Sequence, residues 1–281
     1  MKWNYGDILK QIRKNKNISQ QDVCKDIISR QTLSSIENCK STPNYYTIYH
    51  ILEKINVSFD EFSYICNSYS LEEKKYLIEH FFYLFSLNDL DKDIKLERKC
   101  SQYLHLEQDA FIQDIQKVLL ARIHMKKHTE NTQAHAKQLF YSVWNRLSKM
   151  DNWYYNELRL LNTIIFYLPP ESIGYLSKSL LSYLDRYRNF HKNSNIKADV
   201  LKNLSNLYLQ KGDFTLCAIY SDKLLDYSKE EKRYDSLAIA LTYLGICKKD
   251  YNLIDNAYEI LKNVKDFSLL DELKKQVAIY F

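Results

Sequence analysis

The sequence predicts an all-α protein in two parts, and three observations carry that prediction. Four glycines and three prolines occur in 281 residues, whereas sheets and sandwiches need turn residues in quantity. Apolar residues recur at helical spacing, and 24 tyrosines lie among the Leu, Ile and Lys, which suits helix interfaces built from amphipathic rings. The length exceeds one small domain and fits two.

The first sixty-six residues divide into five short helical patterns. Ile8, Leu9 and Ile12 mark one face of the first, opposite a basic face of Lys10, Arg13, Lys14 and Lys16. Ser19 offers a cap oxygen to the second, and Asp22 can reach back to it as in a capping box. That helix turns Val23, Cys24 and Ile27 inward. Ser29 caps the third, whose inward residues are Leu33 and Ile36. Pro43 closes the following loop. A fourth helix runs from about Tyr45 to Ile55 with Ile48, Ile51 and Leu52 buried, and NVSFDEF, 56 to 62, starts a fifth at Ser58.

Charge follows the same division. The formal net charge of +5 is mild, but residues 1 to 40 hold eight Lys/Arg against four acids. A basic end of this kind suits a polyanion. A capped third helix with Leu33 and Ile36 inward must also point Arg30, Gln31 and Ser34 outward near its N-terminal end.

LKQIRKNKNISQQDV, SRQTLSSIEN, STP and NVSFDEF together resemble the five-helix, lambda-repressor-like helix-turn-helix domain, over roughly residues 5 to 66. The usual domain places a glycine in its turn and one residue more between the second- and third-helix anchors. Here Val23 to Leu33 is one step shorter and the turn is Ile27-Ile28, which is similar to the Rgg and PrgX regulators. The resemblance implies a double-stranded DNA operator as partner. It places Arg30, Gln31, Ser34 and Ser35 against base edges in the major groove. Arg can donate two bonds to guanine and Gln can match adenine. It also gives Gln20, Asn38, Lys40 and Ser41 to phosphates, where they fix register rather than read sequence.

Beyond this head, SYSLEEKKY at 68 to 76 reads as a joint, with Ser70 placed to cap a helix whose first turn carries Glu72 and Glu73. The expected organisation is therefore a DNA-binding domain at 1–66, a linker at 67–75 and a helical domain at 76–281. The clearest unit in the latter is LKNLSNLYLQKGDFTLCAIYSDKLL, 201 to 225. Its Leu204, Tyr208, Gly212, Asp213, Phe214 and Ala218 fall on positions of the tetratricopeptide pattern. Related units lie at 160 to 181 and 241 to 262, offset by 43 and 40 residues, against a usual period of about 34. The array is thus degenerate, with longer helices. Upstream, FFYLF (81 to 85) and FIQDIQKVLLARI (111 to 123) read as core stripes.

Stacked helix pairs bend into a superhelix with a concave groove. The repeat pattern puts Asn156, Arg159, Thr163, Phe166 and Tyr167 of the first unit on the concave side. Lys202, Asn206, Leu209 and Gln210 follow from the second, and Thr242, Ile246 and Lys249 from the third. Asn162 and Asn203 sit one residue off these rows and within reach. Amides can pair with both donors and acceptors of an extended peptide, and Arg159 or Lys202 could hold a carboxylate. WYYNELRLLNTIIFYLPPESIGYLSKSLL resembles the corresponding stretch of Rgg proteins. With the shortened turn, this extends the resemblance to the Rgg, PlcR and PrgX group of peptide-sensing regulators. It implies a homodimeric transcription regulator that binds a short signalling peptide.

Other chemistry finds little support. Glycines at 6, 174, 212 and 245 allow no phosphate-cradling loop. His124 and His128 share a helix face at a spacing that can hold zinc. The metalloprotease pattern needs Glu after the first His, where Met125 stands, and a lysine-rich exposed face accounts for the pair without metal. No nucleophile is grouped with a base and an orienting acid, so neither a cofactor nor an enzymatic function is expected. Longest apolar runs such as IIFYL, 164 to 168, fall far short of the about 20 residues a bilayer takes. The start, MKWNYGDILKQ, lacks the apolar core of a signal peptide. Six scattered cysteines (24, 39, 66, 100, 217 and 247) read as free thiols of a reducing compartment, mostly buried, with Cys39 in a loop. A cytoplasmic protein with no membrane partner is expected. The rival reading is a DNA-anchored protein whose array recruits a folded partner; two others are a head that contacts protein and an enzyme hidden in the array.

Overall fold

Side-chain caps mark where the first helices begin. The computed structural model describes residues 4–85, 89–126, 130–188, 190 and 196–281. In the first of two compact units, residues 1–80, lie α1 (Tyr5–Asn15), α2 (Gln20–Cys24), α3 (Arg30–Glu37), α4 (Tyr45–Lys54) and α5 (Phe59–Cys66). A sixth helix, α6 (Glu73–Phe85), runs through the division. Ser19 and Asp22 form the expected reciprocal capping box on α2. Ser29 accepts from the Thr32 amide at 3.1 Å, Asn44 from Thr47 at 2.8 Å and Ser58 from Glu61 at 3.1 Å. Each cap contributes about 1 kcal/mol. Ser70 caps nothing, because α6 begins three residues later.

The core of this unit is Leu9, Val23, Cys24, Leu33, Ile36, Ile51, Leu52, Ile55, Val57 and Phe62, with Ile8, Ile12 and Ile48 against it. One expected member is displaced. Helix α2 stops at Cys24, and Asp26 takes the left-handed conformation with φ 66°, which Asp tolerates better than most residues. The chain therefore turns before Ile27 can face inward, and Ile28 packs on the core instead.

The expected basic face of α1 is also thinner than its sequence suggests. Arg13 is buried, donating from Nε to Glu37 Oε1 at 2.5 Å and from Nη2 to Oε2 at 2.9 Å. Its Nη1 reaches the Ile18 carbonyl at 2.8 Å. Lys16 closes the end of α4 through the Ile55 and Asn56 carbonyls, at 2.9 and 3.0 Å. Helix α1 can approach α3 this closely because of Gly6, where a Cβ would stand 2.0 Å from the Ile36 carbonyl oxygen. Burial pushes the Glu37 carboxyl up, but the bonds from Arg13 and Gln20 outweigh it and hold the group below its ordinary range. The same contact, opposed by burial, raises Arg13.

In the second unit, residues 81–281, α7 (Leu90–Leu106), α8 (Ala110–Met125) and α9 (Glu130–Leu147) lead into α10 (Tyr155–Ile164) and a 3-10 turn (Ile165–Tyr167). Then come α11 (Pro170–Arg186), α12 (Ile196–Gln210), α13 (Phe214–Glu230), α14 (Tyr234–Lys248), α15 (Tyr251–Asn263) and α16 (Phe267–Tyr280). From α7 onward each helix packs on the next. In addition α10 touches α12, α12 touches α14 and α14 touches α16, so alternate helices form one row, as the inner helices of a repeat superhelix do. The three repeat units fall on α10/α11, α12/α13 and α14/α15.

The turns of this array explain its scarcity of glycine. A left-handed residue precedes a capping aspartate at Gly212-Asp213, Lys249-Asp250 and Lys265-Asp266. Lysine holds two of these positions at a cost of roughly 1–2 kcal/mol each, offset in part by the cap that follows. The FIQDIQKVLLARI stripe is core, as expected, but it also carries two buried charges. Asp114 pairs with Arg146 of α9, and Arg122 lies 3.2 Å from Asp93 of α7. Burial raises both carboxyls, with the arginines opposing it.

Removing the Glu37 carboxylate leaves the Arg13 guanidinium buried without its partner, which costs about 3–5 kcal/mol. Glu37→Ala should therefore speed amide exchange at Leu33 and Ile36, while exposed Glu53→Ala leaves it unchanged. Because Glu37 titrates lower in the fold than its unfolded value of about 4.3, its contribution is complete above that pH. It declines as pH falls through the folded value. Acid titration from pH 5 downward should open the wild-type head and change Glu37→Gln much less.

Candidate functional sites

Helix α3 presents the surface that its sequence pattern called for. Leu33 and Ile36 face the core, and Arg30 and Gln31 are exposed at the N-terminal end. Ser34 and Ser35 are half-buried beside them. Thr32 is also exposed, with its hydroxyl 2.8 Å from that of Ser29. Arg30 Nε donates to Gln20 Oε1 at 3.3 Å, and Gln20 Nε2 donates to Glu37 Oε2 at 2.8 Å. A chain of polar contacts thus runs from buried Arg13 through Glu37 and Gln20 to exposed Arg30.

At the other end of α3, Asn38 donates to the Ser34 carbonyl at 2.8 Å and accepts from Lys10 Nζ at 2.8 Å. Lys40 and Ser41 are exposed. Lys10 is therefore a further cation at this edge, which the basic face of α1 had signalled without linking it to Asn38. Exposed Cys39 donates to Asn4 Oδ1 at 2.5 Å. The surface as a whole offers a guanidinium, three amides, four hydroxyls and two ammonium groups, held by a buried ion pair.

The predicted groove residues divide into a connected polar row and a set of supports. Asn203 of α12 donates to Asn162 Oδ1 of α10 at 3.0 Å. Asn206 accepts from Gln210 at 3.3 Å and from Gln276 of α16 at 3.2 Å. Tyr280 of α16 donates to the Leu209 carbonyl at 3.3 Å. Gln276 and Tyr280 were not singled out from sequence, because α16 lies beyond the three recognisable units. Asn156 is half-buried on α10, and Lys202 pairs with Asp199 at 3.1 Å. Lys249 is exposed at the left-handed end of α14.

Arg159 lies with its guanidinium 3.8 Å above the Phe82 ring, a cation–π contact. Tyr167 stacks on Phe140 at 4.0 Å between centroids, and burial raises its phenol despite nearby Arg122. Half-buried Phe166 precedes it. Thr163 is buried, with its hydroxyl donating to the Arg159 carbonyl at 2.9 Å. Leu209, Thr242 and Ile246, expected on the concave side, are buried. Helix α14 packs on α12, α13, α15 and α16, which leaves little of its central face open. Of the HMKKH pair, His128 lies outside the described residues; the His124 ring meets that of His135 edge-on at 4.8 Å.

Comparison with known proteins follows the same two-part division. Residues 95–244 match the family described as HTH-type transcriptional regulator Rgg, C-terminal domain, and residues 9–62 match a helix-turn-helix family. No curated protein matches in sequence. A transcriptional regulator from Listeria monocytogenes EGD-e has a similar structure, with TM-score 0.80 and 20% identity over 99% of this chain and 97% of that one. The pheromone receptor Rgg2 of Streptococcus dysgalactiae aligns with TM-score 0.72 and 16% identity over 98% of each chain. PlcR of Bacillus thuringiensis, in complex with the peptide PapR7 and DNA, aligns with TM-score 0.64 and 14% identity over 98% of each chain.

Proposed function

Since this chain belongs to the Rgg family of helix-turn-helix transcriptional regulators, we propose that a short signalling peptide bound in the concave groove of its C-terminal repeat domain controls how its head engages an operator. The family is one of transcription regulators rather than enzymes. Residues 1–66 serve DNA binding, 67–75 link, and 76–281 bind peptide and form a homodimer. Arg30, Gln31, Ser34 and Ser35 read bases, while Gln20, Asn38, Lys40 and Ser41 hold phosphates. Two heads on a symmetric dimer engage half-sites whose spacing matches their separation. We place the protein in the cytoplasm, where operator and imported peptide meet. Among the described residues no helix is long and apolar enough to cross a membrane.

The observation that carries the peptide reading is the amide row Asn162, Asn203, Asn206 and Gln276, which joins three alternate helices. Such side chains can exchange their mutual bonds for those of an extended backbone, since each amide carries both donors and acceptors. Similar solved structures hold the ligands this reading requires: PlcR with peptide and DNA, and PrgX with cCF10. Control demands unequal affinity, because a peptide that binds two dimer geometries equally well shifts neither.

Arg30→Ala should weaken cognate operator binding by about 1–3 kcal/mol and relax base preference, whereas Lys40→Ala should weaken all duplexes alike and lower the salt slope by about one. Fluorescence anisotropy across a salt series separates the two; equal effects on every duplex would remove Arg30 from base reading. Combining Arg159→Ala with Asn206→Ala should abolish saturable binding of peptides encoded beside the gene. Unchanged binding moves the peptide off this row, and tight capture of a folded partner without peptide binding favours recruitment instead.

A further inference from the structure

We infer that Asp60, Ser63, Glu72 and Lys75 clasp the start of α6 to α5 and thereby set which spacing of half-sites the two heads accept. This role rests on the operator-binding dimer of the proposed function, but its four residues lie outside the surface assigned to bases and phosphates. Lys75 Nζ donates to Asp60 Oδ1 at 2.9 Å, and the Ser63 hydroxyl donates to Glu72 Oε1 at 3.0 Å. Asp60 and Ser63 stand three apart on α5, so they share one edge of that helix. Glu72, whose carbonyl accepts from the Tyr76 amide at 2.7 Å, and Lys75 stand three apart at the start of α6. The two contacts therefore form an antiparallel register, 60 with 75 and 63 with 72.

What the clasp holds is a strained turn. Ser68 and Tyr69 both take the left-handed conformation, with φ 54° and 58°. Among the described residues no other two neighbours do so. A single left-handed residue commonly ends a helix. A second one, bulky and exposed, is costly and persists only where its surroundings dictate it. Here the Ser68 amide donates to the Ile65 carbonyl at 3.0 Å, and the Tyr69 amide to that of Tyr64 at 2.9 Å. Asn67 Nδ2 donates to the Ser70 carbonyl at 3.0 Å, and the Tyr69 ring meets that of Tyr64 edge-on at 6.0 Å. The apolar core of the head is drawn from residues between Ile8 and Cys66 and includes none of α6. Largely exposed polar side chains thus hold α6 to α5.

Paired heads accept the half-sites that match their separation and orientation. A head whose α6 departs in one direction is presented at one separation, while a head on a loose turn reaches several. Exposed pairs of this kind are weak, each worth about a two- to fivefold change in an equilibrium, so closure is reversible. Two acting in one register across a turn that stores strain give a joint that is shut by default and opens readily.

The test uses the full chain. Wild-type protein selects duplexes from a randomised library, and the selected duplex is remade with one or two base pairs added or removed between its half-sites. Binding should fall steeply away from the selected spacing. Glu72→Ala combined with Lys75→Ala should flatten that dependence and speed hydrogen exchange at the Tyr69 amide, by about two- to fivefold for each contact removed. Exchange at Leu33 and Ile36 should stay as in wild type, which separates a loosened joint from a destabilised head. Swapping the charges, Asp60→Lys with Lys75→Asp, should recover the steep dependence that Lys75→Asp alone removes. An unchanged spacing dependence in the Glu72, Lys75 double variant overturns the inference and leaves the operator reading standing. Failure of the wild-type chain to select any duplex removes the operator reading and the spacing role together.

Discussion

Helix α3 has eight residues, too few to be stable alone, since isolated helices shorter than about 12 residues are marginal in water. Its placement depends on what covers its inner face. Leu33 and Ile36 supply the apolar part of that cover, but neither fixes rotation closely. Glu37 does, because its two carboxylate oxygens must meet the planar fork of Arg13 on α1. Gln20 then takes the remaining acceptor capacity and passes the constraint to Arg30. The exposed arginine at the N-terminal end of α3 is thus oriented through a buried ion pair.

The repeat unit solves a different problem. Each of its helices has one apolar face to bury, and stacking alternate helices leaves a row of polar residues between them. Asn203 donates to Asn162 and Gln276 donates to Asn206 across that row. Amides suit the position because they carry donors and acceptors together, so they can bridge helices and still offer bonds to an entering backbone. Apolar residues there would close the gap, while unpaired charges would resist burial. Arg159 lies on Phe82 and Tyr167 stacks on Phe140, adding aromatic surface to the packing.

The two units manage buried charge differently. In the head, the Arg13–Glu37 contact has both partners fully engaged, and the carboxyl stays ionised. In the array, Asp93 and Asp114 sit among apolar side chains with arginines at their sides, and burial pushes both upward. Pairs of this kind fix which helices are neighbours more than they add stability, because desolvation offsets most of the attraction. They join α7 to α8 and α8 to α9, the part of the array with the weakest internal repetition.

By itself the sequence determined what local chemistry can determine. Ser19, Ser29 and Ser58 announce their helices because a cap needs a residue only three positions away. Leu33 and Ile36 declare the inner face of α3 because helical periodicity depends on spacing alone. Gly212-Asp213 locates a repeat turn for the same reason. Tertiary structure decided whatever depends on partners distant in the chain. Arg13 looks like one more exposed cation until Glu37, 24 residues on, takes it inside. Ile27 and Ile28 cannot be ranked until Asp26 turns the chain, and Gln276 reaches Asn206 only because α16 returns to α12, 70 residues away. A residue type fixes what bonds a side chain can make; the fold fixes which of them it makes.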